Sequence, residues 1–160
     1  MIRVNTFIFL LAACGMAQAQ AIRTIKIEEL QKMISDKGEH IQVINFWATW
    51  CAPCVKEIPL FEKLNAERKD VEVSLVSIDM DLDPNPEKVY RFVERKKLQS
   101  NVYILEAANP NKWIDLIDES WSGAIPATLI VNSKTGKRTF IERALQEGEL
   151  EKLVERLKSE

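Results

Sequence analysis

Residues 45–59 read NFWATWCAPCVKEIP and gather two of the chain's three cysteines, two of its four tryptophans and two of its six prolines. The stretch overlaps HIQVINFWA, a mostly apolar run rich in β-branched and aromatic residues, and leads into VKEIPLFEKLNAERKD, which is helical in composition. A run apolar at nearly every position suits a central strand covered on both faces. Cys51 and Cys54 therefore stand where a buried strand hands over to a helix. Pro59 falls inside that helix, where its missing N–H and its ring predict a kink.

The rest of the chain supplies partners for such a strand. IEELQKMISDKG places Ile27, Leu30, Met33 and Ile34 at helical spacing, with Gly38 as the stop, and VEVSLVSIDM reads as a second strand. Asn85-Pro86 and Asn109-Pro110 each put an Asn where it can cap a helix and a Pro at the first helical position. Val89, Phe92 and Val93 form the apolar face of the first of these helices; Trp113, Ile114, Leu116 and Ile117 form that of the second. NVYIL between them is a short strand. The chain then offers a strand over 127–131, a turn in NSKTGK, a strand over 138–142, and a helix with Leu150, Leu153, Val154 and Leu157 on one side. Strands alternating with helices, closed by a hairpin and a helix, predict an α/β sheet packed on both faces, parallel first and antiparallel last.

The chain's 160 residues suit one domain, here 25–160, large enough to fold without covalent staples. A cysteine pair in it is free to cycle between oxidised and reduced forms. Lys and Arg total 22 against 24 Asp and Glu, with no long basic block beyond Arg95-Lys96-Lys97, which argues against nucleic acid as a partner. The first residues read as an export signal: Arg3, an apolar run over 7–13, and the small-residue site Ala17-Gln18-Ala19, giving a signal peptide over 1–19. The run is too short for a permanent membrane span. An alternative is a lipoprotein signal over 1–13, since LAAC resembles a lipobox with Cys14 as the lipidated residue. Removal of 1–19 leaves only Cys51 and Cys54 and a net charge of −3.

The start of a helix holds unpaired N–H groups and the positive end of its dipole, which favour an anion. A thiolate at Cys51 is such an anion, and in Cys-x-x-Cys settings the thiol pKa drops from about 8.5 to between roughly 3.5 and 7.5. Cys54 lies one turn deeper on the same side, able to close a disulfide but shielded from solvent. Cys51 is thus the attacking thiol and Cys54 the resolving one. Ala52 keeps the loop small and Pro53 fixes φ at the helix start. Zinc would require four ligands, and the chain offers no second pair and a single histidine, His40. A purely structural role is a poor alternative, because a two-residue loop removes little chain entropy.

FWATWCAPC resembles the active-site signature of thioredoxin-fold proteins. CVKEIP and SWSGAIPATLIVN (residues 54–59 and 120–132) are similar to the exported TlpA/ResA-type thiol-disulfide oxidoreductases. The resemblance implies a thioredoxin-like fold, a central mixed sheet flanked by helices, with a strand-helix insertion over about 81–101. It implies Cys51 as nucleophile, Cys54 as resolving thiol, a redox disulfide Cys51-Cys54, and Pro126 as a cis-proline facing the pair. Such a proline would leave the backbone of Ile125 open to an extended substrate segment. Two positions depart from thioredoxins proper. Asn45 replaces a buried Asp, leaving Glu57, three residues after Cys54, as the candidate proton acceptor. Arg143 replaces a Gly that lines the substrate groove, which bears on the groove's shape.

Trp50, beside the nucleophile, is a candidate for the substrate surface; Trp47 belongs to the core strand, Trp121 packs beside the cis-proline loop, and His40 reads as surface. The function expected is that of an exported disulfide reductase without a cofactor, acting as a monomer in the periplasm or on the outer face of a bacterial membrane. Its partners are a protein or small-molecule disulfide and an envelope electron donor, and relatives of this type serve cytochrome c maturation. A thiol peroxidase needs a Thr three residues before its cysteine, whereas Thr49 is two before Cys51. A non-enzymatic copper or haem handling module would want a further His or Met ligand beside the pair.

Overall fold

The computed structural model describes residues 22–107, 109 and 112–159. The signal sequence, Cys14 and Pro110 lie outside these. Strand β2 (Ile41–Trp47) is buried at all seven positions, as a strand covered on both faces must be. On one side it pairs in parallel with β3 (Val71–Ser77), and on the other antiparallel with β5 (Ala127–Asn132). The sheet has six strands among the described residues, in the order β1-β4-β3-β2-β5-β6, with β1 at Arg23–Ile25, β4 at Asn101–Leu105 and β6 at Arg138–Ile141. β1, β4, β3 and β2 run parallel, and β5 and β6 close the sheet as an antiparallel pair.

Alternate residues of β2 divide the two layers. Asn45 bonds to a carboxylate of α2 (Ala52–Glu67), and the Trp47 ring lies 5.0 Å from Phe92 of α3 (Glu87–Lys96). α5 (Glu149–Ser159) covers β5 on the same side, where Asn132 Nδ2 donates to the Leu157 carbonyl. Ile44 and Phe46 point the other way. Met33 of α1 (Ile27–Ile34) shares a cleft with Ile44, and Trp121 packs on Phe46, Phe140 and Trp113, next to the short α4 (Ile114–Ile117).

Local sequence accounts for most element ends. Asn85 Oδ1 accepts from the Glu87 N–H at 3.0 Å while Pro86 is already in helical conformation, the expected cap and first-turn proline of α3. Pro59 lies inside α2. The differences are specific. β1, three residues long, falls below the length at which alternation is readable. α1 ends at Ile34, before the expected stop at Gly38, where an added Cβ would lie 2.5 Å from His40 Nδ1. Residues 81–101, expected as a strand-helix insertion, hold α3 between the end of a 3-10 turn (Asp79–Asp81) and the first residue of β4; the strand follows the helix, and β4 lies between β1 and β3. Leu116, placed on an apolar face, is exposed.

The Trp121 cluster joins the loop before β5 to the sheet. Trp121→Ala is expected to destabilise the protein by about 3–5 kcal/mol, read as a lower denaturant midpoint at unchanged slope. A loss under about 1 kcal/mol would mean that the cluster is not core packing.

Candidate active site

Cys51 caps α2: its Sγ accepts from the Cys54 N–H at 3.3 Å, and Pro53 occupies the first turn. The two cysteines form a disulfide, with Cα atoms 5.3 Å apart. Cys51 is 5% exposed and Cys54 fully buried, the asymmetry that an attacking and a resolving sulfur require. The Ile125-Pro126 peptide bond is cis, and the Ile125 carbonyl oxygen lies 3.8 Å from Cys51 Sγ. The structure thus brings together Cys51, Cys54, Ile125 and the Pro126 peptide, drawn from α2 and from the loop before β5. Trp50, Ala52 and Pro53 are exposed around the sulfur; Trp47 is buried beneath.

Glu57 is buried, at 3% exposure, one turn behind Cys54. Its Oε1 accepts from Asn45 Nδ2 at 2.9 Å and its Oε2 from the Leu145 N–H at 2.7 Å. Asn45 Nδ2 also reaches Thr128 Oγ1 at 3.1 Å. Burial pushes the Glu57 carboxyl up; the Leu145 and Asn45 bonds oppose it without cancelling it. A groove of about 320 Å3 runs beside it, lined by Pro53, Lys56, Leu60, Ala144, Leu145 and Glu147 among others. Arg143 does not line this groove. Its guanidinium forks onto the Glu149 carboxylate at the start of α5.

Two carboxylates escaped sequence reasoning. Asp79, buried after β3, accepts from the Thr49 N–H at 2.9 Å, from the Thr49 hydroxyl, and from Ser77 Oγ at 2.8 Å, and so pins the turn that delivers Cys51. Glu142 accepts from the Ser122 and Ala124 amides and the Ser122 hydroxyl in the loop that ends at the cis bond. Only strand register could have revealed either one, because each bridges segments distant in sequence. The Thr49 hydroxyl donates to Asp79. His40, read as surface, is partly buried, with Nε2 3.3 Å from Ser133 Oγ and 3.4 Å from Glu72. Among the described residues, no three His, Cys, Asp or Glu side chains come together as a metal site.

Residues 16–137 match the model of the AhpC/TSA family. The chain is 33% identical over 90 residues to the thiol-disulfide oxidoreductase ResA of Halalkalibacterium halodurans, covering 56% of this chain and 46% of that protein. It is 27% identical over 114 residues to the sporulation thiol-disulfide oxidoreductase A of Bacillus subtilis, covering 71% and 64%. The chain thus spans about half to two thirds of the length of these relatives. A solved thioredoxin-related protein from Neisseria meningitidis serogroup B superposes with a TM-score of 0.66 at 23% identity, over 77% of this chain and 88% of that one. StoA from Bacillus subtilis does so with 0.55 at 23% identity, over 79% and 84%. The likeness to these structures establishes the fold as thioredoxin-like.

The raised Glu57 carboxyl links stability to pH. The folded state holds this proton more tightly than the unfolded chain, so its contribution is fully present below the ordinary value of 4.5 and is lost as pH rises through the folded value. The stability of the native protein relative to Glu57→Gln should therefore fall with rising pH across that window and then level off. Chemical denaturation of both proteins over a pH series measures it; a difference that grows with pH would contradict the assignment.

Proposed function

The chain belongs to the AhpC/TSA family, and on that footing we propose that it is an exported thiol-disulfide oxidoreductase that reduces protein or small-molecule disulfides through Cys51 and Cys54. The observation that carries this reading is the Cys51–Cys54 disulfide at the N-terminus of α2, with Cys51 slightly exposed, Cys54 fully buried and Glu57 buried one turn further along the helix.

The reaction starts from the dithiol. The Cys51 thiolate, stabilised by the Cys54 N–H and the α2 dipole, attacks one sulfur of the substrate disulfide. A Cys51–substrate S–S bond forms and the substrate's other sulfur leaves as a thiolate that takes up a proton. Cys54 then loses its proton, attacks Cys51 Sγ and expels the second substrate thiolate, which is protonated in turn. The substrate gains two electrons and two protons, and the pair ends as the disulfide; a dithiol donor of the cell envelope restores it by the reverse exchange. Glu57 is the acceptor for the Cys54 proton in this scheme. A carboxyl raised toward neutrality is better matched to a thiol than an ordinary one, and Asn45 cannot titrate. Trp50, Ala52 and Pro53 form the surface that meets the substrate, and the Ile125 backbone pairs with an extended segment of it.

Export rests on the N-terminal sequence, with cleavage after Ala19 or lipidation at Cys14 as the two routes to the periplasm or outer membrane face. Among the described residues no helix is long and apolar enough to cross a membrane. Reduction of an apocytochrome disulfide during cytochrome c maturation is a fitting task for such a protein, acting as a monomer. The copper or haem handling alternative lacks support in the ligands around the pair.

Cys54→Ser should leave Cys51 able to attack but unable to be released, so mixed disulfides accumulate on non-reducing gels and disappear with reductant. Cys51→Ser should give none; equal trapping by both variants would refute the division of roles.

Glu57→Gln removes both a negative charge near the thiols and a proton acceptor. The Cys51 thiolate is expected to form at lower pH, while resolution of the mixed disulfide slows near neutrality. Because the groups are coupled, thiolate absorbance against pH gives apparent values for the set, to be paired with stopped-flow release of a reduced model substrate. If neither quantity moves, proton transfer belongs to water.

A further inference from the structure

Glu142, one residue past β6, is built into the loop that carries Ile125. The Ala124 N–H donates to its carboxylate at 2.9 Å, the Ser122 N–H at 3.1 Å, and the Ser122 hydroxyl donates as well. Trp121 Nε1 donates to the Ala124 carbonyl at 2.9 Å from the other side. Between the two amides Gly123 adopts φ +94°, a conformation that a side chain would disfavour, and a Cβ there would lie 2.9 Å from Ile114 Cδ1. Burial works against ionisation of Glu142, but the Ser122 hydroxyl and the Ser122 and Ala124 amides outweigh it and hold the carboxyl below the usual range. The acceptor is a charge, and charge-assisted hydrogen bonds are the stronger kind.

Both backbone polar groups of Ala124 and the Ser122 N–H are thereby committed inside the protein. The backbone edge left open toward the disulfide begins at Ile125, whose carbonyl lies 3.8 Å from Cys51 Sγ.

We propose that Glu142 is a positioning residue that sets substrate preference: by clamping residues 122–124 it presents Ile125 as a short, rigid pairing edge and so favours polypeptide disulfides over small ones. The proposal rests on the disulfide reductase reading above. Glu142 touches neither the sulfurs nor the substrate and acts through the loop. A polypeptide that pairs with a fixed edge does not have to order that edge on binding. A small aromatic disulfide has no backbone to pair and gains nothing from the clamp. The clamp therefore acts on selectivity, where a merely structural latch would act on both substrates alike.

The test uses the pre-reduced full chain in single turnover. Its two substrates are a short peptide closed by one disulfide and the aromatic disulfide dithiobis-nitrobenzoate. Glu142→Gln keeps the shape but removes the charge and sets an NH2 group where the second carboxylate oxygen accepts from the Ser122 amide, and the ratio of second-order rate constants, peptide over aromatic, should fall on the order of tenfold. Ser122→Ala, which removes one donor, should lower it less and in the same direction, and Glu142→Asp should recover part of it. Hydrogen exchange of the Ser122 and Ala124 amides should accelerate in Glu142→Gln. An unchanged ratio, or equal slowing with both substrates, overturns the proposal. Failure of the native chain to reduce either disulfide would instead overturn the reductase reading, before any variant is compared.

Discussion

The buried hydrogen bond from Asn45 to Glu57 organises the region around the disulfide. It joins the central strand to the helix that carries both cysteines, and the second Glu57 oxygen binds the Leu145 amide ahead of α5. Three separate parts of the chain thus meet at one carboxylate. A carboxyl so enclosed would be costly without donors, and each of its oxygens has one. This also explains why an amide stands at position 45. An Asp there would set a second carboxylate 2.9 Å from the first, where like charges cannot both ionise. Asn45, a departure from the thioredoxin pattern when read along the chain, and Glu57, three residues after Cys54, are one arrangement in the fold.

Two further carboxylates brace the disulfide from either side. Asp79 holds the turn at Thr49 that leads into Cys51, and Glu142 holds the loop that leads into Pro126. Cys51 lies where these two connections converge, beyond the end of β2, and neither connection is itself a regular element. Loops carry function when a scaffold fixes them. Here the fixing is done by side-chain acceptors for backbone amides, which serve as a strand would without filling the space a substrate needs.

The parts of this arrangement that were legible in the sequence are those with a local signature. The apolar run of β2, the cysteine spacing, the Asn85-Pro86 cap and the face of α5 all follow from residues within a turn or two of one another, and the structure places each as expected. What escaped was non-local or too short. β1 has three residues and exists by pairing with β4, some eighty positions away. Leu116 fits an apolar face by spacing, yet α4 is a single turn and leaves it in solvent. Asp79 and Glu142 look like ordinary acidic residues until the register of β3 and β6 puts them against loops. Arg143 carried the opposite risk: by position it bears on the groove, but Glu149 draws its guanidinium toward α5.

These constraints bear on how one site can both favour a thiolate and keep a carboxyl close by. The N-terminus of α2 and the Cys54 amide lower the energy of a charge on Cys51, while an ionised Glu57 raises the energy of a charge on Cys54. The two effects would oppose each other on a single sulfur. They act unequally on the two, because the disulfide partners are separated by depth: Cys51 sits at the cap, where the helix end dominates, and Cys54 one turn inside, toward the buried Glu57. Burial that pushes the Glu57 carboxyl up also keeps it neutral over a wider pH range than an exposed carboxyl. In the proposed exchange, a proton passed from Cys54 to Glu57 would therefore keep these two buried groups from carrying negative charge together away from water.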